Sequence, residues 1–299
     1  MTLRPRPDRS EASLAFCFLP AALLPKIGVV MRRLVPVPVP VAVLLCLVLT
    51  LVCVHAEEGT DWERHYNAGF ARGPIIVDGI PNELSWQLAP EVGLFTRFQS
   101  DDLTPQFQTM AKILWDEENL YFLIAVDDPD IWSTMVEGDK VCLCREETIE
   151  LFIDPDGDGK DYGEIHINCL DTINDLWIPN NEFKYANGDP VDWPDLYSWK
   201  QQGMRHAVMN HGTVNDSTDV DQGSVFEFAL PWSGFGKIAG SASVPPQPGD
   251  VWRINVNRYE RPRREAGRSQ ELSGWAPLNL QSYHVPDRLG YVRFIEDGR

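Results

Sequence analysis

Helical periodicity is nearly absent from this 299-residue sequence. Only Glu83–Ala89 and Trp232–Phe235 carry enough of it for a turn or two, so helices are excluded as the framework. Internal repeats and Ser/Gly linkers are also missing, which favours one large domain over two small ones. Basic residues are few, at 26 against 44 acidic. Such a surface repels phosphate backbones and excludes nucleic acid as a natural partner. There is no Gly-x-Ser-x-Gly, no His-Glu-x-x-His and no phosphate-cradling glycine loop, so no nucleotide cofactor is expected.

Cysteine is scarce too. Three of the six (Cys17, Cys46, Cys53) fall in the first 56 residues, leaving Cys142, Cys144 and Cys169. An odd number excludes a complete disulfide framework. Cys142-x-Cys144 is not a metal-knuckle spacing, and strand-buried thiols are the expected state, with one bridge to Cys169 as the alternative.

Residues 1–56 read as a leader. Met31 is the expected true start of an export signal: Arg32-Arg33, an apolar run from Val41 to Val54, and Ala56 as the last residue removed. Prolines at 36, 38 and 40 shorten the apolar run below the roughly 20 residues of a membrane helix, so no stable span is expected in the mature protein. An uncleaved anchor is the alternative. The leader holds six basic and two acidic residues, so the remainder keeps 20 basic against 42 acidic, a net charge of −22. Residues 57–73 form a short polar lead-in, and 74–296 are expected to fold as the domain.

What is present is strand pattern. Ile75–Val77, Thr109–Trp115, Leu120–Val126, Thr148–Ile153, Glu164–Asn168, Ser224–Leu230, Val251–Tyr259 and Gly290–Phe294 are apolar or alternating runs between Asp, Asn, Gly and Pro clusters. They predict an all-β, antiparallel two-sheet sandwich of jelly-roll or immunoglobulin-like kind with few short helices. Alternation also sorts faces. Ile165 and Ile167 face the core, and Ile149, Leu151 and Ile153 do likewise. A hairpin between these strands brings Glu150 near His166, both pointing away from the core. Arg253, Asn255, Asn257 and Tyr259 share a face of a third strand. Glu, His and Asn on rigid strands suit hydrogen bonding to hydroxyls; a solvated sheet face is the plainer alternative.

Between Glu150 and His166 lies Asp154-Pro-Asp156-Gly-Asp158-Gly159. It supplies the first half of an EF-hand loop, but position 12 is Ile165 and the flanks are strands. A helix–loop–helix switch is therefore not expected. The options are a structural Ca²⁺ held by Asp154, Asp156, Asp158 and Asp161, or a polar hairpin turn.

Several blocks in order resemble the family 9 carbohydrate-binding modules and similar extracellular DOMON-like β-sandwich domains. They are Val77-Asp-Gly…Glu83…Trp86, Leu114-Trp-Asp…Leu120-Tyr…Pro129, Glu147-Thr-Ile-Glu-Leu-Phe-Ile-Asp-Pro-Asp156, Phe228-Ala-Leu-Pro-Trp232, Pro248–Asn255 and Pro286–Phe294. The resemblance implies an exported, periplasmic or extracellular protein that binds sugars or polysaccharide ends. It further implies a role in carbohydrate catabolism beside separate carbohydrate-active enzymes, with structural calcium. It maps a sugar-contacting carboxylate onto Glu150, an amide onto Asn255 and a basic position onto His166. Of the two tryptophans that commonly sandwich the sugar, one falls near Cys144, which cannot stack, and the other near Tyr283, which can. Trp132, Trp177, Trp193 and Trp275 are candidate replacement platforms.

Two rival readings remain. Similar domains hold haem b between Met and His or Lys, and Met110, Met135, Met204, Met209, His206 and His211 are available, with no spacing that singles out a pair. Glycosidase chemistry needs two carboxylates across a cleft, for which Glu150 and Glu164 are the nearest candidates.

Overall fold

The computed structural model describes residues 63–98, 103–138, 142–263, 269–278 and 283–296. The expected leader and cleavage point lie outside them. Twelve strands dominate: β1 (His65–Phe70), β2 (Thr96–Arg97), β3 (Thr109–Trp115), β4 (Asn119–Asp127), β5 (Thr148–Asp154), β6 (Lys160–Ile167), β7 (Ile173–Asn180), β8 (Arg205–His211), β9 (Gly223–Pro231), β10 (Val251–Glu260), β11 (Glu271–Gly274) and β12 (Gly290–Phe294). Two short helices accompany them, α1 (Leu84–Leu88) and α2 (Trp193–Leu196). None of the described helices is long and apolar enough to cross a membrane. Ile75–Val77 is not a strand; its backbone leads into the turn before α1, and Ile76 N–H donates to the Glu83 carboxylate.

The strands form one continuous hydrogen-bonded path, β7-β6-β5-β10-β12-β1-β3-β4-β9-β8, with β11 and β2 attached beside β10. All pairs are antiparallel except the two made by β1. His65–Ala68 pair in parallel with β12, and Gly69–Phe70 pair in parallel with β3. The expected purely antiparallel arrangement is thus a mixed, curled sheet, because β1 passes from one half to the other and bonds both.

Alternation decides the core. Ile149, Leu151, Ile153, Ile165, Ile167, Ile254 and Val256 from one half pack in one cluster with Ile113, Phe122, Ile124, Phe226 and Phe228 from the other. Each such side chain contributes about 1.5–3 kcal/mol on full burial.

Both outward faces are also covered. Over β3, β4 and β9 lies the segment carrying Ile75, Trp86 and Ala89. Its Asp78-Gly79 turn is tied to the sheet: Glu227 of β9 accepts from the N–H groups of Asp78 and Gly79 at 3.1 and 2.7 Å and from the Trp86 indole at 2.9 Å. Gly79 takes φ +81°, and a Cβ there would lie 2.9 Å from that of Met209, so glycine is needed twice over. Over β5, β6 and β7, a third cluster joins Phe152, Tyr162, Leu176 and Ile178 to Leu196 and Leu289, with Phe183, Tyr197 and Tyr283 against it.

Candidate functional site

Register places the predicted polar residues in one row across four strands. Asn257 of β10 lies opposite Glu150 of β5, Glu150 opposite His166 of β6, and His166 opposite Asn174 of β7. The adjoining row runs Asn255, Phe152, Glu164, Leu176. The expected proximity of Glu150 and His166 is therefore direct pairing, and both point away from the main core. The face they occupy is not solvated. Glu150 and His166 are each 1 % exposed and Asn255 and Asn257 fully buried. Phe183, Tyr197 and Tyr283 pack with the apolar residues on the same face and close it over.

Buried polar groups need partners, and here they find one another. His166 Nε2 lies 2.7 Å from Glu150 Oε1 and 2.7 Å from Glu164 Oε1. Asn257 donates to Glu150 Oε2 at 2.9 Å, and Asn255 donates to Asn257 Oδ1 at 2.9 Å. Ala276 N–H in turn donates to Asn255 Oδ1 at 2.8 Å. Burial alone would lower the His166 imidazole, but Glu164 and Glu150 override it and hold it up to about 10. Burial likewise works to raise Glu164, yet the imidazolium holds that carboxyl down to about 2. Glu150 is raised, chiefly by burial, with Glu164 adding repulsion. Imidazolium and Glu164 carboxylate thus form the charged pair. One ring atom is left over: His166 Nδ1 is buried with no hydrogen-bond partner.

Glu164 belongs to this cluster as fully as Glu150 does. Its signal was the same alternation that put His166 outward, two residues on. Glu150 and Glu164 close on one imidazole from either side instead of facing each other across an open cleft.

Tyr283 is half-buried beside the row, its ring 4.9 Å from that of Tyr259 and 5.2 Å from that of Phe98. Next to it, His284 receives or gives a hydrogen bond with the Tyr162 hydroxyl at 2.9 Å and packs edge-on against Phe152 and Phe183. Among the other candidate platforms, Trp275 is fully buried in the core, while Trp193 is 55 % exposed. Trp177 lies under Lys237 Nζ at 3.9 Å, and Trp132 donates to the Arg261 carbonyl. Cys144 is bonded to Cys142, so the expected pair of thiols is a disulfide across one intervening residue, tying the turn Leu143–Arg145 to the residue before it; Cys169 is a buried thiol.

The acidic turn connects β5 to β6. Asp154 Oδ1 and Oδ2 accept from Gly157 and Gly159 N–H at 3.0 Å each, Asp156 accepts from Ser241 N–H at 2.8 Å, and Asp158 from Lys160 N–H at 2.8 Å. Carboxylate oxygens of Asp154, Asp156 and Asp158 lie within 4.8 Å of one another. Asp161 is not in that group; it accepts from the Trp177 indole at 2.9 Å. Burial raises Asp154 to about 6. Of the haem-ligand candidates, Met204 packs against the main core, Met110 against the second cluster, and His206 Nδ1 meets Asp171 at 2.7 Å.

Residues 77–297 match the carbohydrate family 9 binding domain-like family. Endo-1,4-beta-xylanase A of Thermotoga neapolitana is 21 % identical over 225 residues, which make up 75 % of this chain but only 17 % of the xylanase. A family 9 carbohydrate-binding module of Caldicellulosiruptor kristjanssonii in complex with cellotriose superposes with a TM-score of 0.50 at 14 % identity, over 78 % of this chain and 94 % of that one. A Bacteroides uniformis protein described as carbohydrate-binding gives 0.53 at 14 % identity, over 77 % and 99 %. At this identity the two structures speak for the fold.

Proposed function

Because the chain belongs to the carbohydrate family 9 binding domain-like family over residues 77–297, we propose that it binds carbohydrate at the Glu150–His166–Asn257 row. The observation that carries this reading is the buried, unpartnered His166 Nδ1 among acceptors and amides on four paired strands. A sugar hydroxyl both donates and accepts. Its oxygen can accept a hydrogen bond from Nδ1–H while neighbouring hydroxyls engage Glu150 and Asn257. Tyr283 supplies an aromatic face for the ring. Since the row is buried, Tyr283 and His284 must swing aside for a ligand to enter.

In this reading the two halves of the curled sheet act as the layers of a sandwich. The acidic turn holds a structural Ca²⁺ through Asp154, Asp156 and Asp158, and the protein is exported by its leader to work beside separate carbohydrate-active enzymes. The xylanase relative supports that setting. The cellotriose complex of the structural neighbour supports β-linked glucose oligomers as first probes.

Calorimetric titration with glucose, cellotriose and xylo-oligosaccharides, with and without Ca²⁺, tests the proposal. Binding is expected to weaken at least about tenfold in Tyr283→Ala, a change of about 1.4 kcal/mol. If no glycan binds under either condition, the function is wrong while the fold stands.

A further inference from the structure

Strand β1 changes partner in mid-course, and the change leaves a seam in the sheet. Ala68 is the last residue paired with β12, opposite Phe294, and Gly69 is the first paired with β3, opposite Leu114. Ile295 adds one more bond past the end of β12, from its N–H to the Ala68 carbonyl at 2.9 Å. Tyr66 and Ala68 point into the core, so the alternate positions His65, Asn67 and Gly69 point outward.

Gly69 therefore lies on the outward face at the seam, and the backbone does not call for glycine there. Its φ is not left-handed, and a Cβ would meet only Leu114 Cδ2 at 3.7 Å, an ordinary contact. What the missing side chain leaves is room. A cleft of about 290 Å³ is lined by Gly69, Leu114 and Ile295 and walled on the other side by α1 and the residues after it. Phe70, Leu88 and Pro90 keep its walls apolar, and Leu88 is 53 % exposed. Three polar side chains reach it: Asn67, Arg72 and Ser85. Ser85 Oγ accepts from the Arg72 N–H at 2.9 Å, which ties the base of the arginine to α1. The Arg72 guanidinium itself has no partner among the described residues, in a chain with 44 acidic residues against 26 basic ones.

We propose that this cleft is a second ligand site and that it takes a small organic acid, with its carboxylate on Arg72 and an aromatic or short aliphatic body against the apolar walls. An arginine fork matches a carboxylate, and here it stands unpaired beside carbon surface. The volume lies at the lower end of the roughly 300–1,000 Å³ of small-molecule sites, which suits a single ring or a short chain. Three polar side chains are too few to satisfy the hydroxyls of a sugar ring, so the class is an apolar acid and not a uronic acid. The cleft lies between β1, β3 and α1, whereas the His166 row crosses β10, β5, β6 and β7, so the site does not rest on the sugar-binding reading.

The test titrates the full chain with sodium benzoate and sodium hexanoate, followed by calorimetry and by saturation-transfer NMR of the ligand. Acetate, benzamide and glucuronate are the controls: a carboxylate without a body, a body without a charge, and a carboxylate on a hydroxylated ring. Benzoate and hexanoate should each saturate one site, and all three controls should bind more weakly. Arg72 is exposed, so Arg72→Gln should fold as the parent does and bind benzoate about five- to tenfold more weakly. Gly69→Val fills the floor of the cleft and should abolish binding; should that variant fold poorly, Arg72→Gln still decides. No saturable binding of either acid would overturn the proposal. So would benzamide, acetate or glucuronate binding as tightly as benzoate, or an unchanged benzoate affinity in Arg72→Gln.

Discussion

Trp86 gives its indole N–H to Glu227 at 2.9 Å, joining helix α1 to the middle of β9 across 141 residues of sequence. The same carboxylate caps the Asp78 and Gly79 N–H groups, and it is wholly buried. Glu227→Ala orphans three donors at once and should cost about 3–5 kcal/mol. Urea melts measure this directly. Glu227→Gln keeps an acceptor and should lose clearly less; equal losses in the two variants would mean that side-chain volume, not hydrogen bonding, is what matters.

The His166 cluster fixes a pH profile. Its imidazole is raised from 6.5 to about 10 in the folded chain, so its stabilisation is complete below about pH 6.5 and fades as pH climbs to about 10. Glu164 is depressed from 4.5 to about 2, so its share is complete above about pH 4.5 and fades as pH falls towards 2. Tm should therefore have a plateau between about pH 4.5 and 6.5 from this cluster. His166→Gln should flatten the alkaline limb and, by leaving the buried Glu164 carboxylate without its cation, lower stability by about 3–5 kcal/mol near neutrality. An unchanged alkaline limb in the variant would show that the drop arises elsewhere.

Cys169 should be chemically silent in the folded protein. Burial first, then the nearby Glu147 and Asp128 charges, push its thiol up to about 12, and only the thiolate attacks alkylating agents. Peptide mass mapping after iodoacetamide at pH 8 should find Cys169 unmodified until denaturant is added. Rapid labelling without denaturant would contradict the buried placement.

The acidic turn should resist two different substitutions. Gly159 has φ +77°, and a Cβ there would come 3.2 Å from Pro286 Cγ, so Gly159→Ala should cost about 1–2 kcal/mol. Asp154→Ala removes the acceptor for both turn glycines and should cost about 1–3 kcal/mol. Chemical denaturation in the presence of chelator separates these losses from any ion effect.

Much of the frame was legible because period-two alternation is a direct imprint of a half-buried strand. Thr109–Trp115 and Gly290–Phe294 are strands to the residue, and Glu150 meets His166 as the hairpin required. The burial of that pair was not legible. It depends on Phe183, Tyr197 and Tyr283 folding back from distant segments, and no local pattern announces what will cover a polar face. A buried cluster of Asp128, Glu147 and Glu260, with carboxylate oxygens within 4.8 Å of one another, escaped for a related reason: each acid ends a different strand, and only the register between strands brings them together. Cys142–Cys144 was missed because a one-residue spacing carries no statement of its oxidation state.

Strand β1 carries a kinetic consequence. Tyr66 pairs with Val292 and Phe70 with Trp115, so the first strand is hydrogen-bonded to the last as well as to an early one. Closing that first pair requires almost the whole domain to be synthesised, and such distant contacts form slowly. Until β12 arrives, β1 and β10 each present an unpaired edge. The nascent chain must be kept from pairing those edges with a neighbour, and its period of greatest exposure to aggregation ends only when Gly290–Phe294 arrives to close both.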